Sequence, residues 1–288
     1  MVITIDGAAG VGKTSTAKEL AKISSQKSQN VTQIAKDKKV RKYRDRSLNP
    51  QLGKMIDIID GAANSCILRG DATNAIVKQE FANLVLTDPP YSDSVQYAEL
   101  ADFFLCWFAE LGLTEIDEDT FKVKSPTNNE VVVNKTRKSD QENYSQLLTR
   151  VFKSCAGALR PDGKLVFTFH HTSMDSWVSV LLAIVNSGFT LFDAYPLRGE
   201  SKITGNLMFH SNKSTPEMDV VLICEKNGQE TSNNRTKLGE QMKNFDNIHD
   251  KRSYTLSEVL PEITQQLHTI NQEKRKEECD LILKKFFE

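Results

Sequence analysis

The residues best suited to chemistry lie together at Asp88-Pro89-Pro90-Tyr91, directly after the apolar run Asn83-Leu84-Val85-Leu86-Thr87. Proline fixes φ and has no N–H to give a sheet ladder. A strand over 83–88, read as short and fully buried, therefore ends at Asp88, and the turn after it is stiff and offers carbonyl oxygens only. Asp88 adds a carboxylate acceptor and Tyr91 a flat ring with a polar tip. Several acceptors beside a stacking ring suit a planar ligand carrying an amino group, and a nucleobase turned out of a duplex is such a ligand. An exocyclic amine is a poor nucleophile while its lone pair is delocalised into the ring. Accepting both of its protons helps localise that pair for attack on an electrophilic methyl group. Taken alone, the same four residues also read as a Pro-rich loop after a core strand.

A second chemical stretch opens the chain. Val2-Ile3-Thr4-Ile5-Asp6 reads as a strand, Gly7-Ala8-Ala9-Gly10-Val11-Gly12-Lys13-Thr14 as a glycine loop, and a helix with Ala17, Leu20 and Ala21 on one face follows. The spacing matches G-x-x-x-x-G-K-[ST], in which glycines turn backbone N–H groups toward phosphate and the lysine adds a point charge. Residues 3–24 thus resemble the start of small nucleotide kinases, with Gly7, Lys13 and Thr14 holding ATP-Mg. The same residues overlay D-x-x-x-G-x-G-x-T and resemble the first, cofactor-binding loop of amino-methyltransferases, usually D-P-F-x-G-S-G-T. That likeness implies Asp6, Gly10 and Gly12 around S-adenosylmethionine, although Gly7 stands where the pattern has proline. Both readings stay open. Residues 65–72 read as another strand, ending in Gly70-Asp71. Asp71 is then either a cofactor-holding acid at the same sheet edge as Asp88 or an N-cap or turn aspartate.

The elements that must position these groups alternate. Apolar residues at 97, 100, 101, 104, 105, 108 and 111 keep helical spacing, and their aromatic stripe by itself reads as core packing. A helix over 144–159 ends in the turn signal Arg160-Pro161-Asp162-Gly163, and 165–169 is a central strand. His170 and His171 end that strand; methyl transfer to a base amine needs no strong general base, so they read as residues that shape the pocket or pair with backbone. A helix over 177–185, closed by Gly188, precedes strands over 191–195 and 219–224, a closing hairpin pair. This order predicts a three-layer α/β sandwich with a mostly parallel sheet over residues 1–226. Residues 227–253 read as a linker and 254–288 as a helical extension. The polar stretch 114–143 reads as a variable surface loop or a target-recognition insertion.

Thr87-Asp88-Pro89-Pro90-Tyr91 with Asp93, Tyr97-Ala98-Glu99-Leu100, Asp102-Phe103-Phe104 and Trp107 resembles a subgroup of adenine-specific DNA methylases that reads roughly TDPPYYDxVxYAELxDFFxxW. The likeness runs over about residues 64–226. It implies a Rossmann-like fold and S-adenosylmethionine-dependent methylation of the exocyclic amine of adenine in DNA. Asp88, Pro89 and Pro90 would then accept the amine's protons and Tyr91 would stack on the flipped base. A P-loop ATP-binding protein, or a non-catalytic methylase domain that binds nucleic acid, are the other readings.

Composition sets bounds. Over 288 residues, 37 Lys and Arg balance 38 Asp and Glu, so contact with DNA, or RNA, must come from local patches such as the basic run from Lys36 to Arg46 or the loop from Arg198 to Lys213. No apolar run approaches the ~20 residues of a membrane span. The five cysteines form no CxxC pair, which fits a reduced, cytoplasmic protein without a metal site.

Overall fold

The structure, a computed structural model, describes residues 2–6, 53–62, 65–66, 71–74, 79–111, 130–198, 218–228 and 248–287. The chain divides into two compact units, one of Met1–Ala9, Asp71–Leu100 and Pro126–Glu288, the other of Gly10–Gly70 and Ala101–Ser125. In the first, β1 (Val2–Asp6), β2 (Ala82–Asp88), β3 (Leu159–Phe169), β4 (Phe189–Arg198) and β5 (Met218–Lys226) form one five-stranded sheet in the order β1-β2-β3-β5-β4. The pairings β1–β2 and β2–β3 are parallel, whereas β3–β5 and β4–β5 are antiparallel, so the sheet is evenly mixed where a mostly parallel one with a closing hairpin was expected. β1, β2 and β3 end at one edge, where Asp6 pairs with Asp88 in register and β5 begins. Of the strand expected over 65–72, residues 67–70 lie outside the described residues.

β2 is not buried throughout. Val85 and Thr87 are buried while Asn83 and Asp88 are exposed, and Leu86 is 43% exposed. The Arg160-Pro161-Asp162-Gly163 turn signal lies inside β3, where it forms an irregularity: Ala82 pairs with Leu159, but Leu84 pairs with Lys164. Gly163 permits this close passage, because a Cβ there would lie 2.8 Å from the Leu159 side chain and 3.0 Å from the Ala82 carbonyl.

Helix α3 (Gln141–Ala158) starts where the Asp140 carboxylate accepts the Asn143 N–H at 2.8 Å. Its Tyr144, Leu147, Leu148, Val151, Phe152 and Cys155 form one buried face, as the i, i+3, i+4 spacing requires. Helix α4 (Met174–Asn186) is buried almost all round and stops at Gly188, whose φ is +87°. Helix α5 (Ile248–His268) begins inside the stretch expected as linker and lies against β4. Where β4 shifts register, the Leu191 N–H finds the Thr264 hydroxyl of α5 at 3.1 Å. Helix α6 (Arg275–Phe287) packs on α4, and Arg275 Nη1 donates to Asn186 Oδ1 at 2.8 Å. Leu256, Leu260, Ile263, Cys279 and Leu283 belong to the same core as the sheet, so these helices complete that core.

In the second unit the described parts are a short helix α1 (Met55–Ile59) and the Ala101–Glu110 part of α2 (Tyr97–Glu110). The aromatic stripe of α2 does not serve as core: Leu105 is buried, but Phe103, Phe104 and Trp107 are 64%, 59% and 61% exposed. Helical spacing marks a face without saying which elements cover it.

Candidate functional site

Asp88 ends β2 at the sheet edge, and its position in register with Asp6 of β1 places the two strand ends side by side. Its Oδ1 accepts from Thr168 Oγ1, on the neighbouring β3, and from the Tyr91 hydroxyl at 2.6 Å. Tyr91 and Thr168 also lie 2.8 Å apart, oxygen to oxygen. Oδ2 of Asp88 has no hydrogen-bond partner among the described residues, and neither has the Pro89 carbonyl. Burial first, and the Asp88 carboxylate next, hold the Tyr91 hydroxyl protonated well above the usual tyrosine range. It therefore stays a donor. The Tyr91 ring is fixed edge-on by Phe169, with centroids 5.4 Å apart, and by His170 at 4.7 Å.

The turn is held from behind. The fully buried Tyr144 of α3 donates its hydroxyl to the Pro90 carbonyl at 2.8 Å. Pro90 thus differs from Pro89: one of the two carbonyls is already engaged with the protein. Ser92, buried, adopts a φ of +53°, which costs a non-glycine residue strain and persists where surroundings over-determine it. Its carbonyl accepts from Val133 N–H at 3.1 Å and its hydroxyl meets the Gln141 side chain.

Residues 130–140 supply the rest of the hold. They reverse tightly, with Glu130, Val131, Val132, Val133 and Asn134 buried and Lys135, Thr136, Lys138 and Asp140 exposed; the rest of the stretch expected as a surface loop or insertion, residues 114–129, lies outside the described residues. Glu130 accepts the Ala98 N–H in the first turn of α2 at 2.8 Å and is ion-paired with Arg137. A carboxylate at a helix N-terminus is favoured by the exposed N–H groups and the helix dipole. Asn134 Nδ2 donates to Gln96 Oε1 at 2.7 Å and to Glu99 Oε1 at 2.9 Å, and Arg137 Nη2 reaches Glu99 Oε2 at 3.3 Å. Residues 92–99 are therefore tied to 130–139 along their length. Nothing in the polar composition of 114–143 marks Glu130 and Arg137 for this work; the Val131-Val132-Val133 run was the one available signal.

The two histidines part company. His171 Nδ1 accepts from the Ser173 N–H at 3.0 Å, so Nε2 carries the proton and meets Asp93 Oδ1 at 2.9 Å. Trp177 Nε1 donates to the His171 carbonyl at 3.0 Å. His171 is thus a pinned, backbone-paired residue. His170 pairs through Nδ1 with Asp219, the residue across from it at the start of β5, and stands against Tyr91. Thr168, Tyr144 and Asp219 were not singled out by sequence, because each acquires its place only through strand register or helix docking.

Asp71 opens a 3-10 turn (Ala72–Asn74), and its Oδ1 accepts from the Thr73 N–H at 2.8 Å and the Thr73 hydroxyl at 2.7 Å. That is a turn aspartate at the atom seen. Asp6 is the backbone partner of Asp88 in register. Gly7, Gly10, Gly12, Lys13 and Thr14, the basic run 36–46 and residues 199–217 lie outside the described residues.

Among the described residues no helix is long and apolar enough to cross a membrane. Cys66, Cys155, Cys224 and Cys279 are free thiols. No curated protein matches the chain. A family model, described as DNA methylase, matches residues 82–286, from the first residue of β2 to the last turn of α6, and leaves the glycine loop outside the match. The acceptor turn and every element that holds it fall within those bounds, and the chain belongs to the N6/N4 DNA methylase family.

Proposed function

We propose that the chain methylates the exocyclic amine of adenine in DNA, using S-adenosylmethionine, on a three-layer, Rossmann-like sandwich. The choice of adenine over cytosine rests on the likeness of Thr87–Trp107 to adenine-specific methylases. The observation that supports the chemistry is the state of Asp88: one oxygen accepts from two hydroxyls, and neither the other oxygen nor the Pro89 carbonyl has a hydrogen-bond partner among the described residues.

S-adenosylmethionine supplies the electrophilic methyl group. On the likeness of the sequence to the amino-methyltransferase loop, Asp6, Gly10 and Gly12 would hold it, with Asp71. Oδ2 of Asp88 and the Pro89 carbonyl would each accept one proton of the target amine, which raises lone-pair density on the nitrogen. The Pro90 carbonyl already accepts the Tyr144 hydroxyl, so of the three acceptors it has one lone pair fewer to offer the amine. Tyr91 would stack on the extruded base, its ring held at two edges and its hydroxyl anchored. Such fixed acceptors need no reorganisation when the methyl group arrives, the condition under which electrostatic stabilisation is most effective. The free thiols suit a reducing, cytoplasmic setting.

Transfer of labelled methyl groups from S-adenosylmethionine to DNA tests the reading. Wild type is expected to yield N6-methyladenine, and Asp88→Ala to lose about 100-fold or more of the rate, the scale of removing one preorganised group. Transfer that persists in Asp88→Ala refutes the role of the turn; N4-methylcytosine as product refutes adenine.

A further inference from the structure

We infer that Thr168 is a positioning residue for Asp88: its hydroxyl fixes the carboxylate so that Oδ2 is the oxygen presented to the target amine. This rests on the methylase reading of Asp88. Three oxygens meet at one point, Asp88 Oδ1, Tyr91 Oη and Thr168 Oγ1, and they have two protons between them. The carboxylate can only accept. Either both hydroxyls donate to it, or one hydroxyl donates to the other and the second donates to Asp88. In every arrangement at least one hydroxyl proton points at Oδ1. The side chain of an exposed strand-end aspartate turns freely about its terminal bond unless something holds it. Here the hold comes from 80 residues away, from the strand paired with β2.

Thr168 is also placed to act without touching substrate. Its neighbours Phe167 and Phe169 are wholly buried, so the backbone around it is fixed by the core. The β2–β3 register carries it opposite Asp88, one step beyond the Thr87–Phe167 pair. Tyr91 shares the contact from the turn itself, with its ring packed on Phe169. Thr168 ties the carboxylate directly to the neighbouring strand.

Thr168→Val keeps shape and removes the hydroxyl. The expected result, measured on purified full chain with labelled S-adenosylmethionine and duplex DNA, is a fall in kcat of about tenfold, with KM for DNA and the Kd for S-adenosylmethionine within twofold of wild type. Thr168→Ser, which restores a hydroxyl, should return kcat to within threefold of wild type. An unchanged kcat in Thr168→Val, or a Thr168→Ser as slow as the valine variant, overturns the inference. Equal losses in kcat and in both binding constants also overturn it, because they mark a damaged fold. If wild type transfers no methyl group at all, the methylase reading fails by itself. The contact is then decided by melting temperature: the Thr168→Val shift should shrink in an Asp88→Ala background, and an identical shift in both backgrounds refutes the hold.

Discussion

Asp88 and Asp71 are both aspartates that close an extended or turn segment, and both use Oδ1 as a double acceptor. Their donors differ. Asp71 takes both hydrogen bonds from Thr73, two residues on, and so organises its own 3-10 turn. Asp88 takes one from Tyr91 and one from Thr168, 80 positions away on another strand. A local acceptor follows its turn wherever the turn goes. An acceptor held from a second element keeps its place relative to the sheet, which is what a group that must meet a substrate needs. The same contrast separates Pro89 from Pro90, whose carbonyl is committed to Tyr144 of α3.

Glu130 is a buried remote hold on the segment that follows the turn. Its side chain is 2% exposed and paired with an Arg137 that is 22% exposed. Arg137 Nε and Nη1 are buried without hydrogen-bond partners among the described residues, so this guanidinium depends on the pair. Glu130→Gln keeps an acceptor for Ala98 N–H and removes the charge. We expect a loss of about 3 kcal/mol in urea unfolding, at the low end for a broken buried pair because Glu99 remains near. Methyl transfer should fall with it, since residues 92–99 lose their tie. Replacing both partners, Glu130→Leu with Arg137→Met, should cost clearly less than the single change. A double variant as unstable as the single one would place the energy in packing and remove the clamp from the account.

A middle-sized effect is expected at Asp71, where charge and turn can be separated. Asparagine keeps the oxygen that accepts from Thr73, so Asp71→Asn should preserve the turn, and its melting temperature measures whatever else the charge contributes to the fold. If Asp71 belongs to the donor half of the site, the Kd for S-adenosylmethionine should weaken about tenfold, or about 1.4 kcal/mol. An unchanged Kd in calorimetry reduces Asp71 to its turn and leaves Asp88 the only aspartate of the pair with a site role.

How much of this was legible beforehand follows the same division between local and remote. The end of β2 at Asp88, the α4 stop at Gly188 and the β4–β5 hairpin were readable because proline, glycine and apolar runs act within a few residues. DNA methylase kinship was legible in Thr87–Trp107 for the same reason. The partners of the site were not. Thr168 reaches Asp88 through strand register, Tyr144 reaches Pro90 through helix docking, and Glu130 reaches Ala98 across 32 positions. Periodicity carries no information on such pairings. It misled outright at α2, where Phe103, Phe104 and Trp107 repeat like a core face and are exposed. It also hid the mixed sheet, since an antiparallel β5 beside β3 has the same apolar run as a parallel strand.

The smallest effect tests the committed carbonyl. Tyr144→Phe removes one hydrogen bond to Pro90 and leaves the ring in place, so it should cost about 1 kcal/mol at neutral pH. Its pH dependence identifies the cause. Burial pushes the Tyr144 hydroxyl up from the ordinary tyrosine value of 10.0. Below pH 10 the tyrosine is neutral in both folded and unfolded chains, and the contribution is fully present. Above it the unfolded chain releases the proton while the folded chain keeps it, so wild type loses stability as pH rises, by about 1.4 kcal/mol per unit once well past that value. Phenylalanine has no such loss. The roughly 1 kcal/mol advantage of wild type should therefore shrink from pH 10 and be reversed by pH 11, with the Tyr91 contribution common to both proteins. Urea midpoints at pH 7 and pH 11 measure this directly. An advantage of equal size at both values would mean that the Tyr144 hydroxyl is open to solvent, and that Pro90 is as free as Pro89 to meet the target amine.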